Sequence, residues 1–196
     1  MSQTAMYNES NLIIETRQIS GTADLEATMV SGTAVVDATV DGKYGTGIVT
    51  FATTDAPAFV SGQMYIEGTT NYDGTHEILS VTTSGITVRT NKYVAETPVG
   101  TETIGFVIDP KCDWILYEIN LHLSAAAATS ENFVATLDAN AGSAYDLVVF
   151  SQDVNGVSDL TSIGERYFFN GDKLRFTLPN SDGRTYSLKV VYRRIR

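Results

Sequence analysis

Two histidines, one cysteine and a scatter of carboxylates are the side chains in this sequence that could carry a reaction. Nucleophilic catalysis needs a Ser or Cys beside a base that a third group orients. His76 follows an Asp73-Gly74 turn signal, His122 falls on the outward side of an alternating run, and neither stands in a nucleophile motif. Cys112 is the only cysteine, so no intrachain disulfide or paired-cysteine metal site can form, and a small buried thiol is the role it suggests. Sugar hydrolysis would need two carboxylates at a set separation, and the spacing of Asp and Glu through turns and outward faces pairs none of them. Asp138, Asp146 and Asp153 could meet around Ca²⁺, which draws oxygen ligands from several loops, but they lack contiguous calcium-loop spacing. The glycines sit in hairpin signals rather than between a strand and a helix, so no phosphate-cradling loop is present. The expectation is a non-enzymatic protein with no cofactor and no metal.

Side chains that could bind are more concentrated than those that could react. Of 23 acidic and 13 basic residues, 13 acidic and 4 basic fall in residues 1–110, whereas Arg166 to Arg196 holds 8 basic residues against Asp172 and Asp182. Near the end Leu174, Phe176 and Leu178, then Tyr186, Leu188, Val190 and Tyr192, alternate with polar residues across a Pro179 to Gly183 turn. That pattern predicts a hairpin with an apolar inner face and a basic outer face. Lys173, Arg175, Lys189, Arg193, Arg194 and Arg196 are then either solvated strand faces or a docking edge for the acidic surface of a partner subunit. Trp114 alternates out of phase with Ile115, Tyr117, Ile119, Leu121 and Leu123, which predicts that it covers a junction between domains or meets a partner.

These residues need strands to position them. With 43% hydrophobic residues, 16 Gly and recurrent Asp-Gly, Asn-Gly and Ser-Gly pairs, the composition is that of a turn-rich, all-β globular chain. The net charge of −10 argues against nucleic-acid binding. No apolar run approaches the roughly 20 residues that span a bilayer, and MSQTAMYNES lacks the basic start and apolar core of a secretory signal. A chain made in the cytoplasm that stays soluble, with no membrane contact, is expected.

Residues 1–30 read as a polar N-terminal arm, Met1 to Asn11, followed by strand character at Leu12 to Glu15 and Gln18 to Ile19. From Ala23 to Met29 the spacing of Leu25 and Met29 is open to reading as a helical turn, but the stretch is short, lies between Gly21 and Gly32, and is left unassigned. Thr33 to Val40, ended by Asp41-Gly42, and Ile48 to Phe51, ended by Asp55-Ala56-Pro57, are strand candidates. Between Phe59 and Val94 three alternating runs are separated by Gly68 to Gly74 and by Ser84-Gly85, the pattern of consecutive antiparallel strands, with Asp73-Gly74 expected to supply positive φ angles for a tight hairpin. After Thr103 to Ile108, Asp109-Pro110 marks a domain boundary. Trp114 to Leu123, Phe133 to Leu137 and Tyr145 to Phe150 follow as strands, and turns are marked at Asn155-Gly156 and Asn170-Gly171. Residues 109–196 therefore predict a jelly-roll-type β-sandwich.

The stretch Phe59-x-x-Gly62, Ile66-x-Gly68-Thr69-Thr70-Asn71-Tyr72-Asp73-Gly74-Thr75, Ile86 to Val88 and Lys92-Tyr93-Val94 resembles a small β-barrel module of tailed-bacteriophage structural proteins. The similarity covers about a fifth of the chain and is specific to Ile66 to Thr75. It implies a barrel over residues 31–108, joined to or inserted in the sandwich. It also implies a virion structural protein: a capsid decoration or cement protein on the major capsid protein lattice, or a head–tail connector or tail component, with a trimer as the expected homo-oligomer. A receptor- or carbohydrate-binding fibre-tip module is the alternative from another class; it calls for loop aromatics, whereas the ten Tyr lie mostly in strand-like runs.

Overall fold

The computed structural model describes residues 14–37, 47–54 and 62–195. The expected arm, Asp41-Gly42, Asp55-Ala56-Pro57, Phe59 and Arg196 lie outside these residues. The described strands are β1 (Ile14–Gly21), β2 (Glu26–Thr28), β3 (Val36–Asp37), β4 (Ile48–Ala52), β5 (Gln63–Glu67), β6 (Gly74–Thr82) and β7 (Gly85–Arg89). They continue through β8 (Thr103–Ile108), β9 (Trp114–Leu123), β10 (Asn132–Asp138), β11 (Leu147–Asp153), β12 (Asp159–Phe168), β13 (Lys173–Thr177) and β14 (Tyr186–Arg194). A short 3₁₀ turn, Ser143–Tyr145, is the helical element among the described residues.

The protein is all-β, and two antiparallel sheets pack together as a β-sandwich. One sheet has the order β1-β14-β9-β12, and the other runs β11-β10-β13-β8-β5-β6-β7-β4-β3 with β2 beside β8. The chain passes from the second sheet to the first between β8 and β9, at Asp109-Pro110. Within the larger sheet, pairing runs from β2 to β8, β5, β6, β7 and β4. It then returns to the β2 region through the Met29–Thr53 bridge, with Val30 N donating to Ala52 O and Thr54 N to Thr28 O, both at 3.0 Å. This run of pairings takes in residues 26–30, where buried Ala27 and Met29 alternate with half-buried Glu26, Thr28 and Val30, so the stretch is a strand and not a helical turn. The same run shares β8 with the sandwich, where Ile108 and Val107 pair with Leu174 and Arg175 of β13.

A continuous apolar core fills both regions. It extends from Leu25, Phe51, Ile86 and Val88 through Phe106 to Phe133, Phe176, Trp114 and Tyr192. The rings of Phe106 and Phe133 lie 5.5 and 6.2 Å from that of Phe176, so three strands of the larger sheet meet on one aromatic stack. Each such buried side chain contributes about 1.5–3 kcal/mol.

The residues of the Gly68 to Gly74 motif have a folding role. Asp73 Oδ1 accepts from Thr69 N and Thr69 Oγ1 at 2.7 and 2.8 Å, while Thr69 Oγ1 accepts from Tyr72 N at 3.0 Å. The buried Tyr72 hydroxyl donates to Val94 O at 2.5 Å and accepts from Val94 N at 2.7 Å, and its ring stands edge-on to Phe51 at 5.2 Å. Glu96 accepts from Thr70 N and Asn71 N. Asp73 is not among the positive-φ residues, so the expected two-residue hairpin at Asp73-Gly74 is a longer loop that its carboxylate ties instead.

Two expectations about the strands are corrected. Strands β13 and β14 do not form a hairpin: β13 pairs with β10 and β8, and β14 with β1 and β9, so residues 178–185 cross from one sheet to the other. Both runs bury one face against the shared core, which is why alternation alone made them look like partners. In β9, Glu118 faces Val191 and the next partners are Leu116 and Tyr192, so Tyr117 is an extra, bulged residue. The bulge reverses the phase. Trp114 and Leu116 turn inward with Ile119, Leu121 and Leu123, while Ile115 and Tyr117 turn outward and are half-buried.

Candidate functional site

The phase change settles where Trp114 lies. It is fully buried inside the sandwich, stacked on Phe168 at 4.4 Å and edge-on to Tyr192 at 5.7 Å, with its Nε1 donating to Asp172 O at 3.3 Å. It presents nothing to a partner, and it is part of the sandwich core rather than a cover over an interdomain junction.

The cations divide between two opposite outer faces because β13 and β14 belong to different sheets. On the larger sheet Arg175 pairs with Glu67 at 2.5 Å, and Lys173 lies 3.9 Å from Asp138. On the smaller sheet the Arg193 guanidinium sits 5.9 Å from the centroid of the Tyr117 ring, and Arg194 pairs with Glu15 at 2.9 Å. Glu67 and Glu15 belong to the acid-rich front of the chain. Two cations of the basic end are thus matched within one molecule by carboxylates of the acid-rich front. Lys189 lies outward on β14, with no ion pair among the described residues.

The histidines lie apart. His76 faces two backbone carbonyls, Tyr72 O at 2.7 Å from Nε2 and Arg89 O at 3.3 Å from Nδ1, which gives it a place in the loop structure. The exposed His122 meets Asp159 at 2.6 Å through Nδ1, a hydrogen bond that, with one from Ser158, holds the Asp159 carboxyl below its ordinary range. Ser187, His122 and Asp159 stand side by side across β14, β9 and β12. The row has the residue types of a hydrolytic triad, set on a sheet face whose central strand, β9, is paired on both sides. Asp138, Asp146 and Asp153 are engaged separately, by Lys173, by Ala139 N, and by Ser130, Glu131 N and Asn155 N, and no metal-type cluster occurs among the described residues. Cys112 is half-buried rather than buried.

The surface that stands out is apolar, and sequence reasoning did not find it. Strand β12 is the edge of the four-stranded sheet, and β11 is the edge of the larger one. Ile163 on β12 is 80% exposed, Phe169 just beyond it is 66% exposed, and Tyr167, Tyr145, Leu147 and Val148 are also exposed. The loops carrying several of these residues are fastened together. The buried Asp172 accepts from Phe169 N at 2.9 Å and from Asn140 N at 3.0 Å, joining the β12–β13 turn to the β10–β11 loop. Gly171 has φ 93°, and a Cβ there would sit 2.6 Å from the Asn140 side chain, so this close approach requires glycine. Asp113 accepts from Asn170 N at 2.8 Å and from the Tyr167 hydroxyl at 2.7 Å, an interaction that raises the Tyr167 pKa. The Tyr167 and Phe169 rings stand edge to face at 5.3 Å. Exposed aromatics held by the buried Asp172 and the half-buried Asp113 form a pre-organised surface, and a strand edge that is unpaired among the described residues lies beside them, open to further pairing. The one signal in the sequence was the Tyr167-Phe168-Phe169 run before Asn170-Gly171, which lacks the alternation of a half-buried strand.

Comparison with family models, curated proteins and solved structures finds no match.

Proposed function

We propose that this chain is a non-enzymatic structural protein of a tailed-bacteriophage particle, and within that class a capsid decoration protein seated on the major capsid protein lattice. The observation that carries the reading is the fastened apolar edge at Ile163, Tyr167 and Phe169, with Tyr145 and Leu147 on the adjoining loop and strand. Isolated exposed apolar residues need no explanation, but aromatics fastened by hydrogen bonds to Asp172 and Asp113, beside a sheet edge unpaired among the described residues, suit a protein contact. The resemblance of Ile66 to Thr75 to a phage barrel module supplies the particle. Internal pairing of Arg175 and Arg194 favours apolar packing over charge as the source of the contact energy.

Co-sedimentation tests the reading. The purified protein, mixed with heads of the source phage that lack it, pellets with them and saturates at a fixed number of copies per head. Ile163→Asp and Phe169→Asp leave the fold intact by circular dichroism and abolish pelleting. Failure of the unmodified protein to bind heads, or equal pelleting by both variants, overturns the proposal; binding to isolated necks or tails instead assigns it to the connector or tail.

A further inference from the structure

The outer face of the four-stranded sheet carries a shallow groove of about 300 Å³, whose lining includes Asn120, His122, Asp159, Thr161, Ser187 and Lys189. That is the lower end of the size range of small-ligand sites, roughly 300–1,000 Å³. The floor is the paired backbone of β9 and β12, and the walls are side chains from three adjacent strands. Neighbouring strands stand about 4.8 Å apart, so the groove offers polar groups at intervals on the scale of one sugar ring.

Several of these groups are uncommitted. Among the described residues, the Lys189 ammonium, the Thr161 hydroxyl and His122 Nε2 make no hydrogen bond. Asn120 gives one N–H to Glu118, which leaves its carbonyl oxygen and second N–H. Asp159 is held in place by His122 and Ser158 Oγ, the latter at 2.8 Å, and its oxygens can accept further bonds. The groove therefore presents both donors and acceptors.

That mixture selects among ligand classes. An anion such as phosphate would meet Lys189 but also the Asp159 and Glu118 carboxylates. A metal cation would meet the Lys189 ammonium. An extended peptide would pair along the outer edge of β12 rather than lie in the groove, because β9 at its floor is bonded on both sides. Vicinal hydroxyls, which both donate and accept, satisfy the amide, the carboxylate and the ammonium together. We propose that the groove between Lys189, Asn120, Thr161 and Asp159 binds a single neutral sugar unit of a glycan. A shallow site of this kind is weak alone, and its strength would come from many copies displayed together. The inference stands apart from the apolar edge and does not depend on which particle carries the chain.

The test is an NMR titration of the ¹⁵N-labelled protein with the methyl glycosides of glucose, galactose, mannose and N-acetylglucosamine, and with inorganic phosphate. At least one glycoside is expected to shift amides of residues 118–122, 159–161 and 187–189 saturably. Lys189→Ala and the isosteric Thr161→Val should each weaken binding by about ten-fold, as loss of a hydrogen-bonding partner requires. Gln152→Ala, on β11, should leave it unchanged. Absence of any glycoside response, shifts from phosphate alone, or undiminished binding by Thr161→Val overturns the assignment. Because Thr161 is exposed and Val has its shape, that variant remains informative even if Lys189→Ala perturbs the sheet.

Discussion

The guanidinium of Arg175 lies 3.9 Å from the centroid of the Tyr65 ring and reaches beyond it to Glu67 at 2.5 Å. Tyr65 is buried, and its hydroxyl donates to Glu26 of β2 across the intervening β8. A residue of the sandwich thus clamps a ring that itself ties β5 to β2, reinforcing a joint where β8 and β13 share two residue pairs. Burial, and then the Glu26 charge, push the Tyr65 pKa well up, so the phenol remains a neutral donor.

This arrangement requires glycine at position 105. The Tyr65 ring lies directly over Gly105, and a Cβ there would stand 2.3 Å from the ring. Held by Arg175 on one side and Glu26 beyond, the ring has no free direction to retreat. Gly105→Ala is expected to lower stability by about 1–3 kcal/mol, read as a shift in the urea midpoint. A midpoint equal to that of the unmodified protein would show that the ring moves aside freely.

Arg175→Lys should behave as a disruptive change. An ammonium keeps the charge toward Glu67 but loses the planar face that stacks on Tyr65. A loss of about 1 kcal/mol or more is expected, with most of it remaining in 1 M salt, where an exposed ion pair would be screened. Complete recovery by Lys would mean that charge alone makes the contact.

Much of the fold is legible in the sequence, and the exceptions have physical causes. Thr103 to Ile108 and Trp114 to Leu123 coincide with β8 and β9 because both are bounded by Pro, Gly or polar loops and are strongly apolar. Strand β12 went unread because Ile163, Glu165, Arg166 and Tyr167 are all exposed on an edge, so nothing imposes alternation on it. Strand β2 is three residues long and takes its geometry from β8. Alternation identifies which face of a strand is buried and is silent on its partner, hence the mistaken hairpin of β13 with β14. The candidate surface was less legible still: Lys173, Arg175 and Arg194 looked available because their partners, Asp138, Glu67 and Glu15, lie 35, 108 and 179 positions away in the chain.

The bulge at Tyr117 gives a test of phase. Deleting Tyr117 brings Leu116 and Glu118 into consecutive register with Tyr192 and Val191 and keeps Trp114, Leu116, Ile119, Leu121 and Leu123 all inward. Deleting Asn120 instead sets part of that row outward. The first deletion should retain the buried-Trp fluorescence of the unmodified protein, and the second should red-shift it. Identical spectra for the two deletions would argue against a bulge at this point.

Glu102 predicts acid sensitivity. Its carboxylate is buried, which by itself pushes its pKa up, but it accepts from Val99 N, Gly100 N and Thr101 N at 2.9, 2.8 and 3.1 Å, and these bonds hold the value below the usual glutamate range. A depressed folded-state value means stability that is present above the unfolded pKa of about 4.3 and is lost as pH falls through the lower folded value. Glu102→Gln should therefore destabilise the protein at pH 7 by about 1–3 kcal/mol and lessen the fall in melting temperature below pH 4.3. An unchanged acid limb would assign that sensitivity to other carboxylates.

The central claim is that the apolar edge of β12 seats this chain on a phage capsid, and cryo-electron microscopy of purified source particles tests it most directly. The account predicts density for the two-sheet sandwich on the outer capsid lattice, with Ile163, Tyr167 and Phe169 against the major capsid protein. Density at the neck, tail or fibre tip, density on the capsid with that edge facing solvent, or no density at all would contradict it.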